Sequence, residues 1–574
     1  MAIPKAKHLI NLFRKLAIAV TLNFFQFVVS LRLCVNFFQI DKIRLLRASF
    51  LLSAKKINAK AQRCREGQIT RVSFFQKPFC KSYSWMYLFR NVAIAVVSGA
   101  VAAFGQPDRG AVCSILALFF GYSGIFFLLK NVKRRAFWLA FAWALGVFSF
   151  QLSWLATTHY HGIGIAFLYA AVATLFAFQF ALVFGNGITL KFSISRGLFI
   201  ASLWTLFEWS RLFYFCGFPF SPVGLVLTFD PIPMQIASVL GVYGLSFIVI
   251  FTSYLIAFSR LKSVVGCFAV LCLFGLGHMR YFEGLNLKEP FYDVALIQTG
   301  LSVEEKEDIP IEKQWERIFT FLEETPNDHF DLIVLPEVVL TYGEKNRHLK
   351  IAKKLADKYK SEVVIGLIDD VYNAAFYIAP DSEIYERYEK RVLVPIGEYL
   401  PASFLKPFLV KYGITEFFNP GKNAKVFLGK IPISPSICYE EGFCNLIREG
   451  RKQGAELLVN LTNDGWFPSS RLHAEHFNLG RVRSIENGAF VLRACNTGIT
   501  GVVDSFGRIV KIMKERDSQG KLNAGAQITK INGYSYPTIF SKFGNTIIIS
   551  FCLSYVGLIF LIKRNYFSRV LCSI

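Results

Sequence analysis

Long stretches without one charged side chain constrain this chain more than anything else in it. Beyond Met86 they come in series: 91–106, 110–129, 136–156, 162–190, 197–207 (continuing past Glu208 and Arg211 to Phe215), 232–258 and 264–277; a last one covers 543–562. A bilayer core of about 30 Å takes about 20 apolar residues per helix. The spacing predicts seven spans, a polar stretch over roughly 281–542 and an eighth span. Hydrophobic residues make up 53% of the 574 and charged residues 18%, which excludes a disordered or disulfide-knotted chain.

The net charge of +24 is unevenly placed. Residues 1–85 carry 16 Lys/Arg against Asp41 and Glu66. This basic extension could be a further span, a signal-like segment, an arm on the anionic leaflet, or an over-extended start before Met86. Past it, cations gather at alternate junctions: Lys130, Lys133, Arg134 and Arg135; Lys191 and Arg196; Arg260 and Lys262; Lys563, Arg564 and Arg569. Lys/Arg accumulate on the cytoplasmic side of membrane proteins. Both ends of the 86–574 unit are therefore expected in the cytoplasm and the polar stretch outside. The basic excess is a topology signal, and no nucleic-acid motif accompanies it.

The polar stretch alternates strand and helix patterns. DVALIQT (293–299), DLIVLPE (331–337), 362–369, 374–379, 384–389, 431–438, 457–463, 490–494 and 500–503 read as strands. Polar helices are expected over 304–324, 346–360, 445–454 and 471–486. This order fits a layered α/β domain. Sites in such domains form at strand ends, and there stand Glu337 after LIVLP, Lys390 after YERYE, Glu398 in PIGEYLP and Cys438 after PISPSI. A thiol on a strand-to-helix turn is presented to solvent, and a neighbouring cation lowers its pKa. A carboxylate can take its proton, and a lysine can stabilise an oxyanion.

The order Glu, Lys, Cys resembles the nitrilase, or carbon–nitrogen hydrolase, superfamily. LPE (335–337), YEKRVLVPIGEYLP (388–401), ICYE (437–440) and NLTNDGWF (460–467), with CGFPFSPVGL (216–225), are similar to the membrane-embedded apolipoprotein N-acyltransferase family within it. The resemblance implies seven helices (86–282), an extracytoplasmic αββα sandwich (283–542), and a closing helix with a cytoplasmic tail (543–574). It implies a multi-pass protein of the bacterial inner membrane. The activity implied is transfer of a phospholipid acyl chain, through a thioester, to the N-terminal amine of diacylglyceryl lipoproteins, without cofactor or metal. A membrane-anchored amidase or hydrolase is the alternative.

Carried over by position, Glu337 is the general base, Lys390 the oxyanion stabiliser and Cys438 the nucleophile. Glu398, Tyr439, Glu440 and Trp466 support them; Asn373 and Trp315 are looser matches. The sequence departs from the family at PSSRLHAEH (468–476), which keeps His476, and at Phe220, where the family has tryptophan. Glu208 and Arg211 read either as a functional pair or as a structural ion pair. Arg481, Arg483 and Glu486 read as a buried network. Cys438 and Cys444 are expected as free thiols.

Overall fold

The computed structural model describes residues 77–105, 109–131, 135–157, 163–184, 191–213, 217–285, 290–340, 344–400 and 417–572. Residues 88–574 form one compact unit and residues 1–87 another. Readings that fall on 1–76 lie outside the described residues.

Each apolar run contains a helix: α1 (Lys77–Ala103), α2 (Gly110–Lys130), α3 (Ala136–Gln151), α4 (Ile163–Phe184), α5 (Ile194–Ser210), α6 (Ala237–Ala257), α7 (Leu261–Leu285) and, after the polar domain, a closing helix Thr546–Cys572. Of these, α2, α4, α6 and α7 are long and apolar enough to cross a membrane. The short run 264–277 lies within α7, one of the four. The apolar stretches Leu88–Ala103, Ala136–Gln151 and Thr546–Ile562 are shorter. Aromatic rings fill the bundle core: Trp143 and Trp204 meet edge to face at 6.0 Å, and Phe180 lies 4.3 Å from Trp204. Gly241 breaks α6 with a φ of +65. A side chain there would also collide with the Phe540 ring, 2.4 Å from an added Cβ.

The polar domain is a sandwich of two six-stranded sheets. In the first half of the domain, chain order runs β1 (Tyr292–Gln298), α8 (Val303–Asp308), α9 (Ile311–Glu323), β2 (Leu332–Val334), α10 (Lys345–Tyr359), β3 (Glu362–Asp369), β4 (Tyr372–Ile378) and β5 (Tyr385–Glu389). The second half contains β6 (Phe427–Leu428), β7 (Pro432–Ile437), α11 (Cys444–Lys452), β8 (Leu457–Thr462), α12 (Leu472–Asn487), β9 (Phe490–Cys495), β10 (Thr500–Val503), β11 (Ile509–Met513) and β12 (Gly525–Ile531). The closing helix Thr546–Cys572 is α13. The sheet orders are β12-β1-β2-β3-β4-β5 and β11-β10-β9-β8-β7-β6.

Strand alternation explains why the sheets are buried on both faces. Val294 and Leu296 of β1 face the other sheet, where they join Ile437, Val459 and Leu492. Ala295 and Ile297 face outward under Trp315, Ile318 and Leu355 of α9 and α10. The second sheet is covered in the same way by Ile447 and Phe477 from α11 and α12. The layers are therefore α, β, β, α.

Three differences from the sequence pattern have physical causes. The helix expected over 304–324 divides into α8 and α9 because Pro310 stands between them as the N-cap of α9. Only Leu332–Val334 of DLIVLPE pair as strand, since Pro336 cannot donate to a ladder. The unpredicted β6, β11 and β12 are edge strands. β11 is almost wholly exposed, so it lacks an apolar alternation to read.

Candidate active site

Both sheets contribute strand ends to one cluster. Glu337 follows β2, Lys390 follows β5 and Cys438 follows β7. Gly366 on β3 lets the 336–338 turn come close, because an added Cβ would lie 2.7 Å from both Glu337 Cα and Pro336 O. Three residues at the cluster hold left-handed backbone: Val338 (φ +39), Ile396 (φ +71) and Cys438 itself (φ +49). Strain of this kind persists only where the surroundings impose it.

Lys390 Nζ donates to Glu337 Oε1 at 3.0 Å and to Glu398 Oε1 at 2.8 Å. Asn373 Nδ2 donates to the same two oxygens, at 2.8 and 3.0 Å. Glu398 Oε2 accepts from Val394 N at 2.7 Å, which closes its own loop. Burial works against the Lys390 ammonium, but Glu337, Glu398 and Cys438 outweigh it and hold its pKa well above the ordinary lysine value. Asn373, a loose match in the sequence, thus sits at the centre of the carboxylate pair.

Cys438 is half-buried, and it opens a 3-10 turn, Cys438–Gly442, that leads into α11, as the strand-to-helix turn read from the sequence implies. Its thiol is pushed well above the usual cysteine range, first by burial and then by the Glu337 carboxylate; Lys390 and the backbone N–H of Asn463 pull the other way. The expectation of a cation-lowered pKa is therefore corrected. The thiol is shielded from water and faces a carboxylate as well as an ammonium. This arrangement favours a protonated thiol.

The turn is anchored from below. Glu440 is fully buried, and its carboxylate accepts from Ile437 N (2.8 Å), Arg391 N (2.6 Å), Val392 N (3.1 Å) and Tyr388 Oη (2.9 Å). It thereby ties the strand of the thiol to the segment after Lys390. His476 Nε2 meets the Cys438 carbonyl at 3.1 Å and Nδ1 lies 2.9 Å from Asp464. Arg493 bridges Asp464 and Glu441, at 3.0 Å each. Burial opposes the Asp464 carboxylate, but Arg493 and His476 hold its pKa well below the usual range.

Tyr439 Oη donates to Gly217 O at 2.6 Å, and its ring lies 5.7 Å from Phe220. This links the turn to the 217–223 loop of the helical bundle. Trp466 is half-buried in the turn Asp464–Trp466, and its neighbour Phe467 meets Trp154 of the bundle edge-on at 5.0 Å. Trp315 lies in the core, donating to His348 Nδ1 at 3.2 Å, and is not part of the cluster. Cys438 and Cys444 are free thiols.

Glu208 and Arg211 do not close on one another as an ion pair. Glu208 accepts from Trp204 Nε1 and Val223 N, while the Arg211 guanidinium lies over Phe176 and Phe180. The 481–486 network is buried, and it joins the two halves of the molecule: Glu486 pairs with Arg483 at 2.7 Å and accepts from Val242 N, freed by the Gly241 break, at 2.8 Å. Asp464, Glu441 and Arg493 were not singled out from the sequence. Asp464 lies inside NLTNDGWF and could have been; Arg493 lies in an apolar strand with nothing to mark it.

Two family models match the chain: the carbon–nitrogen hydrolase over residues 293–530 and the apolipoprotein N-acyltransferase N-terminal domain over 98–255. An apolipoprotein N-acyltransferase of Chlamydia pneumoniae is 30% identical over 526 residues, covering 80% of this chain and 96% of that protein. The counterpart in Chlamydia trachomatis is 29% identical over 82% of this chain and 97% of its own length. That of Rickettsia prowazekii is 30% identical over 68% and 82%. By this similarity along nearly the whole length of its relatives, the chain belongs to the apolipoprotein N-acyltransferase family.

Proposed function

We propose that the protein moves an acyl chain from a membrane phospholipid to the N-terminal amine of a diacylglyceryl-cysteine on lipoproteins, through a thioester on Cys438. The observation that carries this reading is the convergence of Glu337, Lys390 and Glu398 with the strained Cys438 turn in a member of this family.

Glu337 takes the proton of Cys438, and the thiolate attacks the phospholipid ester carbonyl. Lys390 and the backbone N–H of Asn463 face the sulfur and stabilise the tetrahedral oxyanion. The oxyanion collapses, the lysophospholipid alkoxide leaves with the proton held by Glu337, and Cys438 retains the acyl group. The lipoprotein amine then attacks the thioester. Glu337 accepts the amine proton, and the thiol is re-formed as the amide is released. Glu398 and Asn373 hold Lys390 and Glu337 in register, Glu440 and Tyr439 fix the turn, and Trp466 lines its approach.

Both substrates are lipid-anchored, which accounts for a hydrolase-type domain joined to apolar helices. Exposed apolar side chains such as Val270, Leu273, Leu558 and Phe560 on α7 and α13 need lipid to cover them. The reading places eight spans in a bacterial inner membrane, as seven over 86–282 and one over 543–574. Residues 283–542 lie on the periplasmic side, and 1–85 are a basic N-terminal extension. The alternating Lys/Arg junctions support that orientation. Complementation of a strain depleted of its N-acyltransferase tests the function: the unsubstituted gene should restore growth and Cys438→Ala should not. Equal rescue by both would refute the assignment.

A further inference from the structure

Glu337 is held through its backbone as well as its side chain, and one of the groups holding it is a buried lysine that the reaction above does not use. Lys306 lies on α8, which begins with a Ser302–Glu305 capping box. Its side chain is buried, and Nζ donates to the carbonyl of Val338 at 2.8 Å. Val338 directly follows Glu337 and is a β-branched residue at φ +39, a backbone region such residues enter only under constraint. Asn496 Nδ2 holds the preceding carbonyl, that of Glu337, at 2.5 Å. Val339 N completes the turn on Gly366 O at 3.2 Å. Gln314 in turn fixes α8, donating to the carbonyls of Lys306 (2.8 Å) and Ile309 (2.7 Å).

The placement is costly. Burial pushes the Lys306 ammonium down to about 7, against the opposing fields of Glu337 and Cys495. A position that only filled space would be filled more cheaply by an apolar side chain. Here the ammonium meets the strained carbonyl next to the residue whose carboxylate must face Cys438.

We propose that Lys306 is a positioning residue for Glu337, pinning the Val338 carbonyl and so the turn that aims the carboxylate at Lys390 and the thiol. The inference rests on the reading of Glu337 as general base. It is tested with the full-length protein in vesicles of a defined diacyl phospholipid, by following acylation of Cys438 with intact-protein mass spectrometry over a range of lipid concentration. Lys306→Met should lower the maximal rate by about tenfold to a hundredfold, the scale of a small misplacement of a reacting group. Half-saturation should be nearly unmoved. Lys306→Arg, which keeps a donor, should recover most of the rate.

An unaltered maximal rate in Lys306→Met, a loss confined to half-saturation, or an Arg variant no better than Met would overturn the proposal. Where Lys306→Met does not fold, Lys306→Gln decides: a partial loss of maximal rate supports the role and an undiminished rate refutes it. Absence of any Cys438 adduct in the unsubstituted protein would count against the reading of the site as a whole. A normal adduct with unaltered variants would count against Lys306 alone.

Discussion

The two sheets hold their shares of the site differently. On the β1–β5 side, Lys390 and Asn373 both point at the side-chain oxygens of Glu337 and Glu398, while Lys306 and Asn496 hold the backbone beneath. On the β6–β11 side the polar groups at Cys438 converge on backbone. His476 and Asn460 reach the Cys438 carbonyl, and Glu440 gathers the amides around it. The first arrangement leaves charge where a reaction can use it. The second fixes the geometry of a strained turn and buries its ions against one another. The comparison predicts that substitutions on the first side lower the rate of the chemistry whatever they do to folding, and that those on the second act through stability and the turn.

The largest effects should come from the reacting groups. Glu337→Gln should slow Cys438 acylation by about 10² to 10⁴-fold, the usual contribution of a general base. Lys390→Met should cost about 10² to 10³-fold if it serves the oxyanion. Both are read by single-turnover mass spectrometry; Glu337→Gln should leave the melting transition near that of the parent, whereas Lys390→Met, which leaves Glu337 and Glu398 buried without their cation, should lower it as well. A large stability loss without a rate effect would undo the contrast between the sheets.

Arg493→Met tests the other side. It leaves Asp464 and Glu441 buried without their cation, a change that costs about 3–5 kcal/mol in comparable pairs. The melting transition should fall accordingly, and an unchanged transition would show that the network does not hold the turn. Glu440→Gln should be milder. The amide nitrogen would face donors that the carboxylate accepted, for a loss of about 1–3 kcal/mol, with a lower acylation rate because the turn is no longer fixed.

The smallest expected effect is a pH dependence of the segment that carries Trp466. His473 Nδ1 pairs with Glu515 at 3.3 Å, and Nε2 faces the carbonyls of Asp464 and Phe467. Burial opposes its charge, but Glu515 and Asp464 outweigh that and raise its pKa. A raised folded-state pKa contributes stability that is fully present below the unfolded value, about 6.5, and is lost as pH rises through the folded value. Hydrogen exchange of residues 464–471 should therefore quicken with pH beyond the intrinsic trend, and His473→Gln should flatten that excess. Equal excess in both proteins would contradict the clasp.

Much of this was legible in the sequence because the signals were local. Apolar runs marked every bundle helix, and the strand-terminal Glu337, Lys390 and Cys438 stood in motifs of recognisable form. What could not be read was set by contacts distant in the chain. Arg493 gains its meaning from Glu441 and Asp464, which only the β7–β8–β9 order brings beside it. Lys306 and Asn496 grip the Glu337 turn from segments far along the chain. The thiol pKa is not legible in the sequence, which shows that a lysine is present but not that burial and a carboxylate outweigh it. The break at Gly241 was hidden in an unbroken apolar run, and its freed amide is satisfied by Glu486 from the other half of the molecule.

The central claim is that Cys438 carries the acyl chain. Full-length protein incubated with a defined diacyl phospholipid, digested and analysed by mass spectrometry, should yield the Cys438 peptide heavier by one acyl group. The adduct should be labile to hydroxylamine, discharged by a diacylglyceryl-cysteine peptide, and absent in Glu337→Gln over the same interval. N-acylation of the acceptor peptide by a Cys438→Ala protein, with no Cys438 adduct ever detected in the parent, would contradict the account.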